Sequence, residues 1–161
     1  MKRIHFFEFG DKNWVPKFLR DYETDFLEFG AQQFDLYKGI YDLLKKGISK
    51  ASEKRIVDMG SGGGGGWKKI LSDFNAEKVD IKLHLTDVNP NIEALQKVQK
   101  AFPDNVTYSE IPINATKVPS EMKGFRTMLL SFHHLKPDSA KNVLQNAVNE
   151  NEPIGIFELQ D

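Results

Sequence analysis

The chain of 161 residues contains no cysteine, which excludes disulfides and thiolate zinc sites. It also lacks an excess of either charge, since 22 Lys and Arg face 23 Asp and Glu. Because neutralising phosphates requires a basic excess, this balance argues against nucleic acid as an obligatory partner. No apolar run approaches the roughly 20 residues of a membrane span, and the N-terminus does not read as a signal peptide. We therefore expect one soluble, cytoplasmic domain with a sizeable core.

Glycine, by contrast, is concentrated at one point of the chain. Residues 55–67 read RIVDMGSGGGGGW, which is an apolar run ending in an acid, then a glycine-rich turn, then an aromatic residue. Trp67, Ile70, Leu71 and Phe74 follow at helical spacing. The pattern predicts a strand, a tight turn and a helix, with a ligand held against the bare backbone of the turn. A flexible linker is the alternative, but linkers are not usually framed by a strand and an amphipathic helix.

Asp58, two residues before the first glycine, indicates the kind of ligand. The run also satisfies the dinucleotide fingerprint, but glycines this dense satisfy many patterns. A dinucleotide site usually has an uncharged residue at this position, close to the pyrophosphate, whereas a carboxylate suits a ligand that carries a cation. S-adenosylmethionine has an ammonium and a sulfonium group, while NAD has two phosphates. An ordinary acid facing a helix is the structural alternative for Asp58.

Residues 57–64, VDMGSGGG, resemble the first motif of class I S-adenosylmethionine-dependent methyltransferases. The resemblance extends from about Ile56 to the end of the chain. It implies a three-layer, Rossmann-like α/β fold with a parallel sheet of strand order 3-2-1-4-5 and helices on both faces. It also implies methyl transfer from S-adenosylmethionine to a small-molecule acceptor, with catalysis mainly by positioning. The cofactor contacts implied at this motif are Asp58, Gly60, Ser61, Gly62 and Gly63.

A second strand, predicted over residues 81–88, also ends in an acid. Asp87 can accept hydrogen bonds from both ribose hydroxyls, as acids at this position do in dinucleotide sites. In the resemblance Asp87 is the second motif, and Val88 beside it belongs to the cofactor site. The residues that follow predict a helix with Asn89 as its N-cap and Pro90 at its first position.

The third strand is predicted over residues 106–113, at an edge of the sheet because Pro112 cannot donate to a ladder. Asn114 comes next, where the family has an acid or amide that meets the adenine. The resemblance therefore assigns Asn114 and Ala115 to the cofactor site, although an asparagine that ends a strand is also ordinary turn chemistry.

Two adjacent histidines follow the predicted fourth strand, residues 127–131. Ligands of open α/β sheets bind at the carboxyl ends of the strands, so Ser131 is assigned to the cofactor site. His133 is the candidate general base, because imidazole titrates near neutral pH. We expect no metal here, since adjacent histidines point in different directions and no carboxylate accompanies them at ligand spacing.

The first fifty residues hold most of the aromatic side chains of the chain. Helical spacing after Pro16 predicts one helix, and a second helical pattern ends near Gly47 and Ser49. We expect residues 1–50 to form an aromatic-rich helical cap that closes over the cofactor, beside a core of residues 51–161. Some of the rings would line a pocket for an apolar or aromatic substrate. Simple packing of the helices onto the sheet is the alternative.

A fifth strand is predicted over residues 154–159, shortly before the last residue. The family's sheet carries two further strands, so the resemblance implies that the C-terminal strands are missing. The open edge of strand five would favour pairing with a second copy of the chain. Two other functions remain: a cofactor-binding module without catalysis, and an NAD(P)-dependent oxidoreductase, which would use Asp87 but leaves Asp58 without a role.

Overall fold

Five parallel strands form the sheet in the computed structural model, which describes residues 38–158. The strands are β1 Arg55–Met59, β2 Lys82–Thr86, β3 Val106–Tyr108, β4 Phe125–Leu129 and β5 Ile154–Phe157. Their order is β3-β2-β1-β4-β5, which confirms the predicted Rossmann-like topology with β3 at an edge. The order reverses between β1 and β4, and such switch points are where open α/β sheets bind ligands.

In the described range, four α-helices cover the sheet: α1 Tyr41–Lys50, α2 Gly65–Ala76, α3 Ile92–Ala101 and α4 Pro137–Asn149. One core cluster joins the first three helices to the sheet, and each contributes fully buried residues to it, for example Leu44, Phe74 and Leu95. A second cluster joins Val143 of α4 to Met59 and Met128. Within residues 38–158, no helix has the length and apolar character needed to cross a membrane.

Helix α2 forms as the spacing predicts. Trp67, Ile70, Leu71 and Phe74 are each at most 1% exposed, because the apolar stripe packs into the first core cluster. Truncation of a buried ring of this kind typically destabilises a domain by about 3–5 kcal/mol. The stripe therefore fixes the position of the helix that follows the glycine-rich turn.

Helix α3 begins two residues later than predicted. The carboxylate of Asp87 accepts the Asn89 N–H at 2.8 Å, which holds the segment after β2 in a turn. Asn91 is the N-cap, and its side chain accepts the Ala94 N–H at 3.3 Å. The prediction of Asn89 as the N-cap is therefore wrong, because the side chain of Asn91 is the one that accepts an N–H of the first helical turn.

Helix α1 is the described part of the predicted N-terminal cap, and it packs on the sheet. Tyr41 and Leu44 lie in the first core cluster, and the Tyr41 ring centroid is 5.0 Å from that of Phe74. The helix continues through Gly47, where a Cβ would be only 2.4 Å from the Phe125 ring. The first predicted helix of the cap, and its closure over a cofactor, fall outside the described residues.

Candidate functional site

A cavity of about 720 Å³ opens at the carboxyl ends of β1, β2 and β4, within the usual size range of small-molecule sites. It lies at the switch point of the sheet, as the topology predicts. Every residue predicted to bind the cofactor lies on its wall: Asp58, Gly60, Ser61, Gly62, Gly63, Asp87, Val88, Asn114, Ala115 and Ser131. Their cofactor-binding role stays a prediction.

The glycine loop, residues 60–64, has left-handed backbone at Gly60, Gly62 and Gly64, and the last two need glycine for different reasons. Gly64 is the N-cap of α2 with φ +70°, and a Cβ there would lie 3.2 Å from Leu85 Cδ1. Gly62 has φ +54°, and a Cβ there would meet no heavy atom within 4 Å. Packing of the fold therefore requires glycine at position 64, whereas Gly62 keeps the cavity wall free of a side chain.

Ser61 ties the glycine loop to the neighbouring strand. Its backbone N–H donates to Thr86 O at 2.9 Å, and its Oγ accepts the Thr86 N–H at 3.2 Å. Its carbonyl oxygen accepts the Gly64 N–H at 2.7 Å. The loop is thus held to the end of β2 by backbone and side chain together.

Asp58 is buried at the end of β1, with 1% of its surface exposed. Thr127 Oγ1 donates to its Oδ1 at 2.6 Å, and Ser61 Oγ donates to its Oδ2 at 2.7 Å. Thr86 Oγ1 donates to its backbone carbonyl at 2.8 Å. The residue predicted to face a ligand cation therefore also links β1 to β2, β4 and the glycine loop.

Burial is the main influence on the protonation of Asp58. It raises the pKa of this carboxyl from 3.8 to about 6, and the negative charge of Asp87 acts in the same direction. The hydroxyls of Thr127 and Ser61 and the indole of Trp67 oppose the rise in the pKa. The indole Nε1 makes no hydrogen bond of good geometry with residues 38–158, so its effect on Asp58 is that of a nearby dipole. The fold therefore favours the protonated, neutral form of Asp58 more than water does.

Asp87 bridges the glycine loop and the segment after β2. Its Oδ2 accepts the Gly62 N–H at 2.8 Å, and its Oδ1 accepts the Asn89 N–H at 2.8 Å. A carboxylate offers about four acceptor positions, so two bonds leave capacity for the hydroxyls of a ligand.

Asn114 forms the turn that closes one side of the cavity. Its Oδ1 accepts the N–H and the hydroxyl of Thr116 at 2.9 and 2.8 Å, which caps the short 3-10 turn Ala115–Lys117. The Ile113 N–H donates to Asp87 O at 2.8 Å and anchors this segment beside β2. The amide Nδ2 of Asn114 has no hydrogen bond to another residue of the described range. Turn chemistry, the alternative named above, thus accounts for the amide oxygen and leaves the nitrogen available.

The two histidines after β4 lie in different surroundings. The Nδ1 of His133 is 2.6 Å from Glu158 Oε2, and His133 is not among the residues on the cavity wall. The Oε1 of Glu158 also accepts the N–H groups of Phe132 and His133 at 2.8 and 3.3 Å. His134 lies on the wall, and its ring centroid is 4.1 Å from that of His133. The role of His133 as a base stays a prediction.

Several wall residues carry hydrogen-bonding groups that the sequence reading did not assign to the site. His134, Ser139 and Asn142 line the side of the cavity formed by the turn after β4 and by α4. The spacing of Ser139 and Asn142 puts both on one face of α4, and the helix begins at the carboxyl edge of the sheet. That spacing is a signal that the sequence offers for these two residues. Glu158 was missed because it acts from 25 residues further along the chain.

The charged side chains on the wall are acidic. Asp58 and Asp87 line the cavity, and no Lys or Arg of the described range does so. The same range contains no cluster of three or more His, Asp or Glu side chains arranged to hold a metal ion. The electrostatic character of the site therefore favours ligands with positive charge over ligands with phosphates.

The described residues form a Rossmann-like α/β domain with a cavity at the switch point of its sheet. Among solved structures, an O-methyltransferase family protein from Burkholderia thailandensis has a similar fold, with a TM-score of 0.53 and 14% sequence identity. The match covers 82% of this chain and 40% of that one, so this chain spans less than half of that protein's length. No family model and no curated protein matches the sequence. The resemblance to methyltransferases is supported at the level of the fold.

Proposed function

We propose that this chain binds S-adenosylmethionine in the cavity and transfers its methyl group to a small-molecule acceptor. The observation that carries the proposal is the pairing of a glycine loop with two carboxylates at the ends of β1 and β2, on a wall without Lys or Arg from residues 38–158. A fold shared with an O-methyltransferase family protein supports it.

The acidic wall favours this cofactor over a dinucleotide. NAD(P) would bring its phosphates to the glycine loop, where the buried charge of Asp58 repels them. S-adenosylmethionine brings an ammonium and a sulfonium, which the same charge attracts. Asp87 fits either ligand, because both contain a ribose. Asp58 is therefore the residue that decides between the two cofactors.

The cofactor contacts follow from the hydrogen-bonding capacity that the fold leaves unused. Asp87 has acceptor positions left for ribose hydroxyls after its bonds to the loop. Asn114 offers its amide nitrogen near the adenine, with Val88 and Ile113 as apolar wall. The glycine loop lets the cofactor approach its backbone and the first turn of α2.

The acceptor would lie toward the turn after β4 and the start of α4. Met128, Leu130 and Leu135 give this side an apolar surface that suits a small apolar or aromatic molecule and excludes water. Bound S-adenosylmethionine supplies an electrophilic methyl group, which needs an aligned nucleophile. His133 stays our candidate to take the acceptor proton: it does not line the cavity, but it directly precedes the wall residue His134, and its Nδ1 is held by Glu158.

A cofactor-binding module without turnover is the second candidate function. This chain spans 40% of the structural neighbour, so contacts that an acceptor makes in a longer protein need not be present here. This candidate keeps every cofactor contact named above and predicts binding without methyl transfer.

Calorimetry with S-adenosylmethionine, S-adenosylhomocysteine and NAD⁺ in parallel tests the proposal. We expect the first two to bind and NAD⁺ not to bind. The variant Asp87→Ala should weaken S-adenosylhomocysteine binding by about 1.5–3 kcal/mol, because the ribose loses charge-assisted hydrogen bonds.

The matched control is Asp104→Ala, which removes an exposed acid far from the cavity and should leave the affinity unchanged. Binding of NAD⁺ without binding of S-adenosylmethionine would contradict the proposal. Equal affinity in a folded Asp87→Ala variant would remove Asp87 from the site. Incubation with radiolabelled cofactor and a panel of small phenols and amines separates a methyltransferase from a binding module.

A further inference from the structure

Asp58 is a buried acid whose hydrogen-bond donors are all neutral. Hydroxyls of Thr127 and Ser61 donate to its two oxygens at 2.6 and 2.7 Å, and it forms no ion pair with a residue of the range 38–158. Its charge is therefore hydrogen-bonded but not neutralised. A bound ligand with positive charge would supply the missing countercharge.

The indole of Trp67 is a second observation at the same wall. The side chain is 1% exposed and lines the cavity, and its Nε1 donor has no hydrogen bond to residues 38–158. Buried donors are rarely left without an acceptor in native proteins. This end of the cavity thus contains a carboxylate without a countercharge and, near it, an indole donor that has no acceptor in good hydrogen-bond geometry within residues 38–158.

We propose that Asp58 couples cofactor binding to proton release, because a proton and the positive charge of the bound cofactor compete for this carboxylate. The inference rests on the proposed function and adds a pH-dependent control of affinity to it. Asp58 is almost fully covered, so it acts on the cofactor through its charge. In a site of low dielectric this interaction is stronger than in water.

The direction of the coupling follows from linkage. In the free protein, burial keeps the pKa of Asp58 at about 6, so the carboxyl is partly protonated at that pH. A cation bound nearby stabilises the charged form and lowers the pKa, so binding releases protons near pH 6. By reciprocity the affinity rises with pH and levels off above about pH 7. A single proton limits the change to at most tenfold per pH unit.

Other groups around Asp58 must be separated from it. Asp87 faces it from the end of β2, and Thr127 faces it from β4. Trp67 approaches from α2, and His134 lies on the same cavity wall, from the turn after β4. Among these, His134 is an ionisable group that a separate variant has to exclude as the cause.

The test is calorimetry of S-adenosylmethionine binding at pH 5, 6, 7 and 8, in two buffers of different ionisation enthalpy. We expect the Kd to fall as the pH rises from 5 to 7, with protons released near pH 6. The variant Asp58→Asn should bind with nearly the same Kd at every pH. Its amide oxygen can still accept from Thr127, and its amide nitrogen can donate to Ser61 Oγ, so the variant should fold.

Two controls test whether the pH dependence arises from Asp58 and from the positive charge of the cofactor. His134→Gln should keep the pH dependence, because it leaves Asp58 intact. 5′-Methylthioadenosine, which lacks both the ammonium and the sulfonium, should bind to the unchanged protein without the pH dependence.

A constant Kd for S-adenosylmethionine from pH 5 to 8, without buffer-dependent heat, would overturn the inference and leave the proposed function standing. A pH dependence that persists in Asp58→Asn and is lost in His134→Gln would also overturn it. Absence of binding at every pH would contradict both. If Asp58→Asn does not fold, two measurements on the unchanged protein test the inference instead. They are the dependence of the binding heat on the buffer and the comparison of the pH dependence with that of 5′-methylthioadenosine.

Discussion

At the scale of the residue, the site combines requirements of the fold with requirements of the ligand. Asp58 joins β1 to β4 through Thr127 and holds the glycine loop through Ser61. It is also one of the two acids on the cavity wall within residues 38–158. Because Asp58 is buried, its negative charge lowers the stability of the free protein, and this loss can be measured as a free energy of unfolding.

Asp58→Asn should make the free protein more stable at neutral pH. The folded-state pKa of about 6 lies above the ordinary value of 3.8, so the stability that the protonated group contributes is lost as the pH rises through 6. A shift of about two pKa units corresponds to roughly 3 kcal/mol. Urea unfolding of both proteins should show this gain at pH 8 and almost no difference at pH 4. A variant that is less stable at pH 8 would show that the carboxylate charge supports the fold.

Gly62 and Gly64 should respond differently to alanine. Both have φ in the left-handed region, where a Cβ costs about 1–2 kcal/mol. At Gly64 the new Cβ would also crowd Leu85 and Val98, so Gly64→Ala should lose clearly more unfolding free energy. Gly62→Ala should instead weaken S-adenosylhomocysteine binding, because its Cβ stands on the bare cavity wall.

Urea midpoints and calorimetric affinities of the two alanine variants make this comparison. Equal losses of stability in the two variants would mean that the side chains of Leu85 and Val98 move to accommodate the new Cβ at position 64. Unchanged affinity in Gly62→Ala would mean that the cofactor does not approach that part of the loop.

At the scale of the element, the ends of β4 and β5 shape the side of the cavity that the turn after β4 forms. Glu158, just after β5, accepts the N–H groups of Phe132 and His133 and pairs with the His133 ring. These bonds fix the turn from which His134 reaches the cavity wall. The acceptor side of the site therefore depends on the end of β5.

Strand β4 also carries an unusual buried cation, Arg126, which is 1% exposed. Its Nη1 donates to Asn146 Oδ1 at 2.6 Å, while Nε and Nη2 have no partner within residues 38–158. Burial lowers the pKa of Arg126, and the charges of Glu150 and Glu152 oppose this. The guanidinium thus joins β4 to α4 but is incompletely satisfied.

Arg126→Met should leave the stability unchanged or increase it by up to about 4 kcal/mol, because the variant removes a desolvated charge and keeps the volume. Asn146→Ala should lose about 1–3 kcal/mol, since it leaves the guanidinium and the Val118 N–H without their acceptor. Chemical denaturation measures both variants. A clear loss of stability in Arg126→Met would indicate that its two free donors have partners beyond residues 38–158.

At the scale of the whole molecule, the resemblance to methyltransferases predicted the strand order, and the positions of the acids predicted the edge of the sheet that holds the cavity. That succeeded because Asp58 lies at the end of β1, Asp87 directly follows β2 and Asn114 comes after β3, and parallel strands end at one edge. The predicted N-cap of α3 was wrong because the turn in which Asp87 holds the Asn89 amide carries the chain to Asn91 before the helix begins.

The surroundings of the two histidines could likewise not be predicted from the sequence. His133 and His134 are adjacent; the His133 ring pairs with Glu158, whereas His134, at the end of the turn Phe132–His134, lies on the cavity wall. Such contacts between distant residues are set by packing of the complete fold. The local sequence pattern therefore predicted where the candidate site lies, whereas contacts between distant residues determine how its side chains are oriented.

The central claim is that the glycine loop and Asp87 hold S-adenosylmethionine, and amide NMR of isotopically labelled protein tests it most directly. Titration with S-adenosylmethionine should shift the amide signals of Gly62, Val88 and Ala115 in a saturable way, while Asp104 stays unchanged. The same concentrations of NAD⁺ should move none of them. Saturable shifts with NAD⁺ alone, or S-adenosylmethionine shifts confined to residues outside the cavity, would contradict the account.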